Sequence, residues 1–328
     1  MILDKDNVAE YVHARHLLNV PRGSDYSVEA LGGGFLNTVL RVQSGGDSVI
    51  VKQALDALRL FPDLKVSTDR IVFERKALDV VNKMFPEGTA PQVLHFDDEN
   101  RILIMDDLGT TPLLEQQLIN GKVDPDTPVR LGTFLADLHR DTLDNESLRQ
   151  AFDNDAMQQL RLKYCFYFME EPTLLDAARQ LGALFTGQKW VLLHGDFWTA
   201  SVMAEASGIH VFDLEFTYYG HPAQDIGFMM AHYLLHAYNT PRVAEAVFSA
   251  VGRLWETYKR GLGTALPEGT ETAALQQAGI EMMFRIDGIN QVKYITDDEK
   301  KTRIRIAARL LMLDGGITVA KIGDLSAG

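Results

Sequence analysis

Three carboxylates in the second half of the chain have the residue types and spacing that catalysis would require. Asp196 closes the tripeptide His194-Gly195-Asp196, and seventeen residues later the chain reads Asp213-Leu214-Glu215. Each group follows a short apolar run that reads as a strand. Because loops that follow strands commonly carry functional residues, these carboxylates are candidates for direct contact with a ligand.

The arrangement matches what phosphoryl transfer needs. One carboxylate must orient the attacking hydroxyl and accept its proton, and others must hold Mg²⁺ on the nucleotide phosphates. Asp196 suits the first task, whereas Asp213 and Glu215 suit the second. Residues two apart on an extended segment face the same side, so Asp213 and Glu215 are predicted to share a metal ion. Any one of these residues alone could instead cap a turn; the three together favour chemistry.

The elements that would position these residues change character along the chain. Strands are predicted at 26–31, 38–42, 48–52, 93–96 and 102–105, with a helix at 67–84 and a turn at Gly45-Gly46. The later residues predict helices at 129–140, 157–169, 273–289 and 301–313. We therefore predict an α+β fold of two lobes, an antiparallel-sheet lobe of residues 1–107 and a mainly helical lobe of residues 108–328, joined by a hinge at 106–108.

Two features of the first lobe suit a phosphate-bearing ligand. Gly32-Gly33-Gly34 and Asn37 lie between two predicted strands, and glycine lets the backbone approach phosphates closely, although a plain hairpin turn has the same pattern. Lys52 ends an apolar strand, where an unpaired lysine would be unusual.

Taken together, these motifs resemble a known family. His194-Gly195-Asp196-x4-Ser201, Asp213-x-Glu215 and Gly220-x4-Asp225-Ile226-Gly227 are similar to the catalytic core of the aminoglycoside/choline phosphotransferase and protein-kinase-like superfamily. Most members have asparagine where this chain has Ser201. The run 194–203 resembles the H-G-D-x-x-T-x-S-V-M core of the methylthioribose kinases.

The resemblance implies a protein-kinase-like two-lobe fold with ATP and Mg²⁺ as cofactors. It implies that Lys52 meets the α- and β-phosphates and pairs with Glu74 of the helix that follows. Ser201 is implied on the nucleotide side, and the backbone of Asp106 and Leu108 is implied at the adenine edge.

The resemblance also implies structural and substrate-binding roles. Asp225 would brace the catalytic loop by accepting backbone N–H bonds, and His194 would be structural. On the substrate side, Arg285 stands where the family has a pair of sugar-binding arginines, and Trp198 stands where it has a histidine. A purely structural ion pair of Arg285, with Asp287 or another acid, is the competing interpretation.

Four interpretations of the function follow. The first is an ATP-dependent sugar kinase acting on 5-methylthioribose or a related 5-substituted pentose. The second is a kinase of the same fold acting on an amino alcohol or aminoglycoside, whose charge would need an aromatic or acidic pocket supplied by Trp198, Glu170 and Glu171. A non-catalytic nucleotide-binding module would not need Asp196. A protein kinase is disfavoured because only eleven residues separate Asp213 from Asp225.

The composition and net charge of the chain bear on its partners and on its location. The net charge of −13 argues against nucleic acid or an anionic membrane as the main partner, so a small-molecule substrate is expected. A single cysteine, Cys165, excludes an internal disulfide and a cysteine metal cluster. No apolar run reaches the roughly 18–20 residues of a membrane span, and the N-terminus lacks the pattern of a signal peptide, so we predict a cytoplasmic protein. The resemblance suggests a homodimer. His232 and His236 are predicted to pack rather than to bind zinc.

Overall fold

The computed structural model describes residues 1–18, 25–31, 36–56 and 65–326. The chain divides into two compact units, Met1–Thr110 with His210–Phe216, and Thr111–Ile209 with Thr217–Gly328. The predicted boundary between residues 107 and 108 does not account for residues 210–216, which lie later in the chain but belong to the first unit. This segment is fixed there by Val211, whose backbone N–H donates to the Thr89 carbonyl at 2.7 Å.

The first unit is built on an antiparallel sheet, as predicted. Among the described residues, five strands form this sheet in the order β1-β2-β3-β5-β4. The elements of this unit in chain order are α1 (Val8–Ala14), β1 (Ser27–Ala30), β2 (Asn37–Ser44), β3 (Asp47–Ala54), α2 (Arg70–Met84), β4 (Val93–Asp97) and β5 (Ile102–Asp106).

The hairpin of β2 and β3 sets the position of the residues predicted to meet phosphates. Gly45 and Gly46 form its two-residue turn with φ of 61° and 100°, values that suit glycine and match the twist of a tight hairpin. The register runs from Ser44 opposite Asp47 to Asn37 opposite Ala54. Asn37 and Lys52 consequently lie near the same end of the hairpin.

Apolar side chains hold the sheet and its helices together. One buried cluster joins α1 to the sheet through Val8, Val12, Val42, Val51 and Ile104. Helix α2 buries Ile71, Leu78 and Val81 on one face. Glu74 lies on that same buried face, so the helix carries a carboxylate inward with its apolar residues.

The second unit is mainly helical. Its elements are α3 (Leu114–Ile119), α4 (Thr127–Asp141), α5 (Glu146–Ala151), α6 (Asp155–Arg161), a π-helical turn (Leu162–Phe166), α7 (Pro172–Gly187), β6 (Val191–Leu192), β7 (Val202–Glu205), β8 (Gly208–Val211), β9 (Tyr219–Gly220), α8 (Ala223–Asn239), α9 (Ala244–Leu262), α10 (Thr270–Asp287) and α11 (Asp298–Leu313). Strand β8 is where the chain passes from the second unit into the first.

The single helix predicted at 157–169 is wrong in one respect. The α-helix ends at Arg161 and continues as a π-helical turn, in which the Tyr167 N–H donates to the Leu162 carbonyl five residues earlier at 3.0 Å. Apolar periodicity did not reveal this change, because the residues on either side of Arg161 remain apolar at helical spacing.

Helices α8 and α10 form the buried centre of the second unit, and α11 packs against α10. Gly227 on α8 allows the approach of α10, since a Cβ at this position would lie 2.4 Å from the Ala274 carbonyl oxygen. The glycine of the Asp225-Ile226-Gly227 motif is thus needed for helix packing. Within the described part of the chain, no helix has both the length and the apolar character to cross a membrane.

Candidate active site

Lys52 is the centre of a charge cluster in the first unit. Its ammonium lies 2.9 Å from Glu74 Oε1, contacts Asp213 Oδ1 and lies 3.9 Å from Glu215 Oε1. The Lys52–Glu74 pair predicted from the sequence is therefore present. Burial alone would lower the pKa of Lys52, but the three carboxylates outweigh it and raise the pKa, so the ammonium stays charged.

Arg70 is a member of this cluster that sequence reasoning missed. Its side chain is fully buried, with Nε 3.1 Å from Glu215 Oε2 and a terminal nitrogen 3.0 Å from Asn37 Oδ1. Asn37 in turn donates from Nδ2 to Glu215 Oε2 at 2.7 Å. Asn37, predicted to bind nucleotide, has both ends of its amide engaged, the nitrogen with Glu215 and the oxygen with Arg70.

The predicted geometry of the Asp213-Leu214-Glu215 segment is wrong. Asp213 has a φ of 69°, in the left-handed region, and Glu215 lies in the 3₁₀ helix Leu214–Phe216. The two carboxylates both face Lys52 because the backbone turns sharply at Asp213, and not because an extended strand puts them on one side. A non-glycine residue in this region is uncommon and is a feature of functional loops.

The cluster carries an excess of negative charge. Three carboxylates, those of Glu74, Asp213 and Glu215, lie around Lys52, and Glu215 also pairs with Arg70. Burial, reinforced by Asp213 and Glu215, raises the pKa of Glu74 to about 7 against the opposing effect of Lys52. Burial and Asp213 likewise raise the pKa of Glu215. An added cation would therefore be stabilised by this cluster.

The carboxylates of this cluster fit a magnesium ion that is coordinated partly by the protein and partly by phosphates. Within the described ranges, no group of three or more His, Cys, Asp or Glu side chains is arranged to hold a metal ion. Mg²⁺ is commonly held by one or two carboxylates together with water and substrate phosphates, so such a cage is not required. Asp213, with a side chain 38% exposed, is the more accessible carboxylate, and Glu215, at 7%, is nearly enclosed.

The structure gives less information on the other residues of the first unit that are predicted to bind nucleotide. Gly32, Gly33 and Gly34 lie outside the described residues. Asp106, at the end of β5, donates its backbone N–H to the Gln92 carbonyl and accepts from the Gln92 N–H at 2.6 Å. Leu108 follows it as a half-buried residue in the loop after β5.

The loop that carries Asp196 is braced from α8 as the resemblance implied. Asp225 accepts from the backbone N–H of His194 at 2.7 Å and of Gly195 at 2.9 Å. His139 lies 3.3 Å from the same carboxylate. Although burial opposes ionisation, His139, His194 and these N–H bonds hold the pKa of Asp225 below its usual value.

Two further contacts fix the conformation of this loop. His194 is fully buried, and its Nδ1 lies 3.3 Å from the Asp196 backbone N–H, which fits a structural residue. Ser201 donates from Oγ to the Asp196 carbonyl at 2.9 Å and accepts from the Trp198 N–H at 3.1 Å. Ser201, predicted on the nucleotide side, therefore ties the loop to itself across five residues.

The carboxylate of Asp196 is held by a second residue that sequence reasoning missed. Arg161, the last residue of α6, donates to Asp196 Oδ1 at 2.9 Å and to the Gly195 carbonyl. Its guanidinium lies 4.6 Å from the ring centre of Phe228. No motif signals this residue, because Gln-Gln-Leu-Arg-Leu-Lys reads as an ordinary amphipathic helix.

Arg285 is buried and paired, which agrees in part with the structural interpretation of this residue. Its Nε donates to Glu281 Oε1 at 2.6 Å, and its guanidinium lies 4.6 Å above the Trp198 ring. Asp287, the partner suggested from the sequence, instead pairs with Arg305 at 2.7 Å. The spacing of four residues between Glu281 and Arg285 could have revealed the correct partner.

The Glu281 carboxylate also contacts His232, whose Nε2 lies 3.3 Å from Oε1. Burial lowers the pKa of His232 to about 4, so its imidazole is neutral near pH 7. Burial would raise the pKa of Glu281, but Arg285 and His232 reverse the effect and lower it. Burial would lower the pKa of Arg285, but the carboxylates of Glu281 and then Asp196 outweigh it and raise the pKa.

The acidic residues suggested for a cationic substrate are on the surface. Glu170 is exposed, and Glu171 is exposed and paired with Arg309. Their exposure does not fit the enclosed acidic pocket that a cationic substrate would need.

An antiparallel-sheet unit with a buried Lys–Glu pair, and a helical unit with a braced His-Gly-Asp loop, define the kinase-like class of phosphotransferases. Residues 27–260 match the family described as phosphotransferase enzymes, and the chain belongs to this family. It is an ATP-dependent kinase whose acceptor is a hydroxyl group.

Comparisons with individual proteins agree with this assignment. A methylthioribose kinase of Yersinia enterocolitica is 28% identical over 79% of this chain and 74% of its own length. One from Bacillus cereus is 27% identical over 86% of this chain and 84% of its own. A solved choline/ethanolamine kinase family protein from Mesorhizobium loti superposes with a TM-score of 0.58 at 14% identity, covering 98% and 99% of the two chains, and this likeness supports the fold alone.

Proposed function

We propose that this protein transfers the γ-phosphoryl group of ATP to a hydroxyl of a small neutral sugar, 5-methylthioribose or a related 5-substituted pentose. The similarity to methylthioribose kinases over most of the chain supports this substrate class. The observation that carries the proposal is the buried guanidinium of Arg285, which lies over Trp198 and pairs with Glu281.

The charges around Asp196 favour a neutral substrate over a cationic one. Arg161 pairs with Asp196, and Arg285 pairs with Glu281, so each of these two acids already faces a guanidinium. Trp198, the aromatic face that a quaternary ammonium could use, already faces Arg285. A guanidinium has several N–H donors in a fixed plane, which suits neighbouring sugar hydroxyls.

Glu115 is a half-buried acid whose pKa responds to Arg285. Burial raises the pKa of Glu115, and the positive charge of Arg285 opposes this shift. An amino alcohol or aminoglycoside would bring a further positive charge to the guanidinium groups of Arg161 and Arg285, each of which already pairs with an acid.

In the proposed reaction, Asp196 orients the acceptor hydroxyl and takes its proton. The acceptor oxygen bonds to the γ-phosphorus, the bond from that phosphorus to the bridging oxygen breaks, and ADP leaves. Lys52, kept charged and oriented by Glu74, would contact the α- and β-phosphates. Arg285 and Trp198 would contact the sugar.

The remaining nucleotide contacts are proposals of the same kind. The backbone of Gly32, Gly33 and Gly34 would lie along the phosphates, and that of Asp106 and Leu108 at the adenine edge. Asn37 and Ser201 would act indirectly, by holding Glu215 and the Asp196 loop. When bound, Mg²⁺ would neutralise charge on the phosphates, with Asp213 and Glu215 as its protein ligands. The assignment of nucleotide binding to residues 1–107 and substrate binding to 108–328, the homodimer and the cytoplasmic location remain predictions.

An ADP-release assay across methylthioribose, 5-deoxyribose, ribose, choline and kanamycin tests the substrate class. We expect turnover of the 5-substituted pentoses and none above background with choline or kanamycin. The Asp196→Asn protein serves as the control for contaminating kinases. Turnover of choline or kanamycin in preference to every pentose would refute the neutral-sugar proposal.

A further inference from the structure

Arg161 makes contacts that a merely structural arginine would not need. It donates to the carbonyl of Gly195 and to Oδ1 of Asp196, so it grips both the backbone and the side chain of the loop that carries the proposed base. Its side chain is 7% exposed, whereas that of Asp196 is 19% exposed. The guanidinium thus reaches the carboxylate from the protein interior.

We infer that Arg161 is a positioning residue for phosphoryl transfer: it fixes the orientation of the Asp196 carboxylate towards the acceptor hydroxyl. This inference rests on the proposed function only in taking Asp196 as the group that accepts the proton.

The physical argument begins with the freedom of an aspartate side chain. The two carbon–carbon torsions of Asp196 would let its carboxylate rotate, and the backbone contacts of the loop do not by themselves set that rotation. A charge-assisted bond from a guanidinium to one oxygen does set it, and the second bond to Gly195 fixes the guanidinium relative to the same loop. Holding a catalytic group in one orientation contributes to rate because a small misplacement of reacting groups is costly.

The surroundings of Arg161 keep this bond strong. The guanidinium packs on the face of Phe228 and is enclosed by the protein, so water competes little for its donors. Burial alone would lower the pKa of Arg161, but Asp196 outweighs it and raises the pKa. The guanidinium of Arg161 is therefore charged, and its charge favours the ionised form of the Asp196 carboxylate, which is the form able to accept a proton.

The position of Arg161 in the chain agrees with a role at the loop that carries Asp196. It is the last residue of α6, immediately before the π-helical turn Leu162–Phe166. π-helical turns are rare overall, and those that occur are often found at functional sites. The extra residue in the turn changes the direction of the side chains around it. A buried ion pair is also weak evidence for a stabilising role, since its desolvation offsets much of its attraction.

Steady-state kinetics of Arg161→Met, Arg161→Lys, Asp196→Asn and the double variant Arg161→Met/Asp196→Asn test the inference. The assay is ADP release with the best sugar from the substrate screen, over long incubations for the slow variants. Val247→Ala, which removes buried methyl groups from α9, is the control for a general loss of stability. Thermal melting of every variant accompanies the kinetics.

We expect Arg161→Met to lower kcat by about 10²-fold, with the KM for ATP changed only a few-fold. Arg161→Lys should restore part of the rate, because it returns the charge but lacks the planar, fixed geometry of the guanidinium. On the Asp196→Asn background, Arg161→Met should lower the residual rate by no more than about 3-fold, since residues that act as a unit are not additive.

Three results would overturn the inference: a kcat of Arg161→Met within about 3-fold of wild type, a full additional loss on the Asp196→Asn background, or an equal loss of kcat in an equally destabilised Val247→Ala. If Arg161→Met does not fold, Arg161→Lys decides the question, and a wild-type kcat there refutes the inference. If Asp196→Asn itself stays active, the proposed function fails; if Asp196→Asn is inactive and Arg161→Met is active, only this inference fails.

Discussion

Replacing Arg70 by methionine is expected to destabilise the first unit. Methionine keeps most of the volume of the side chain but removes its charge and its donors. Those donors serve Glu215 Oε2 at 3.1 Å, Asn37 Oδ1 at 3.0 Å and the carbonyls of Ser67 at 2.7 Å and Leu55 at 2.9 Å. All of these acceptors would lose a partner at once.

The expected size follows from the burial of the pair. Arg70 is fully buried and the Glu215 side chain is 7% exposed, so removing one partner leaves a largely enclosed carboxylate. Such a loss costs about 3–5 kcal/mol in the free energy of unfolding. For a unit of this size, that corresponds to a fall of roughly 10–20 °C in its melting temperature.

Differential scanning calorimetry of Arg70→Met, with Arg75→Met as the control, measures the effect. Arg75 lies on the same helix and pairs with Asp79 at 2.9 Å, but both side chains are partly exposed. An exposed pair of this kind contributes under about 1 kcal/mol. A melting temperature for Arg70→Met within about 3 °C of that for Arg75→Met would refute the reasoning, because the burial of the Arg70–Glu215 pair would then have no energetic consequence.

Four further outcomes are expected. Asp196→Asn should lower kcat by about 10²–10⁴-fold while ATP still binds, and a rate within a few-fold of wild type would remove Asp196 from the mechanism. Asp213→Ala should lose Mg²⁺-dependent nucleotide binding, so an unchanged affinity in calorimetric titration would contradict the metal assignment. Arg285→Lys should raise the sugar KM or lower kcat/KM about 10- to 150-fold, the loss of a charge-assisted bond of roughly 1.5–3 kcal/mol; a fall in melting temperature without any kinetic change would leave only the structural role. Burial lowers the pKa of His232 to about 4 and that of His236 to about 3, whereas both titrate near 6.5 in the unfolded chain. Between these values the unfolded state binds more protons than the folded state. The free energy of unfolding should therefore decrease as the pH is lowered from 6.5 to about 4, by about 1.4 kcal/mol per pH unit for each histidine. Urea unfolding at pH 7 and pH 5 measures this slope, and a slope unchanged in His236→Phe would contradict it.

The local features of the chain could be predicted from its sequence because their causes lie within a few residues. Gly45 and Gly46 specify a tight turn wherever the flanking strands pair, and the alternation of apolar residues specifies which face is buried. The pairing of Lys52 with Glu74 and the support of the His194 loop by Asp225 followed from motifs whose residues keep their relative positions in this fold.

The charge partners that complete the site were decided only by the tertiary structure. Arg70 lies 145 residues from Glu215, and Arg161 lies 35 residues from Asp196. In the sequence both arginines stand in charged helices, where an arginine usually faces water. Their burial depends on the packing of distant elements against those helices, which no local pattern records.

The backbone of the Asp213-Leu214-Glu215 segment, proposed to bind metal, shows the same limit. The alternation of Asp213 and Glu215 predicted an extended segment, but Asp213 adopts a left-handed conformation and Glu215 lies in a 3₁₀ helix. Local preference disfavours this conformation for aspartate, so it is retained because contacts with Lys52 and Arg70 hold the segment in place. The sequence by itself thus determined which residues are candidates for the chemistry, and the tertiary contacts decided how their carboxylates are oriented, because orientation depends on partners that lie far away in the chain.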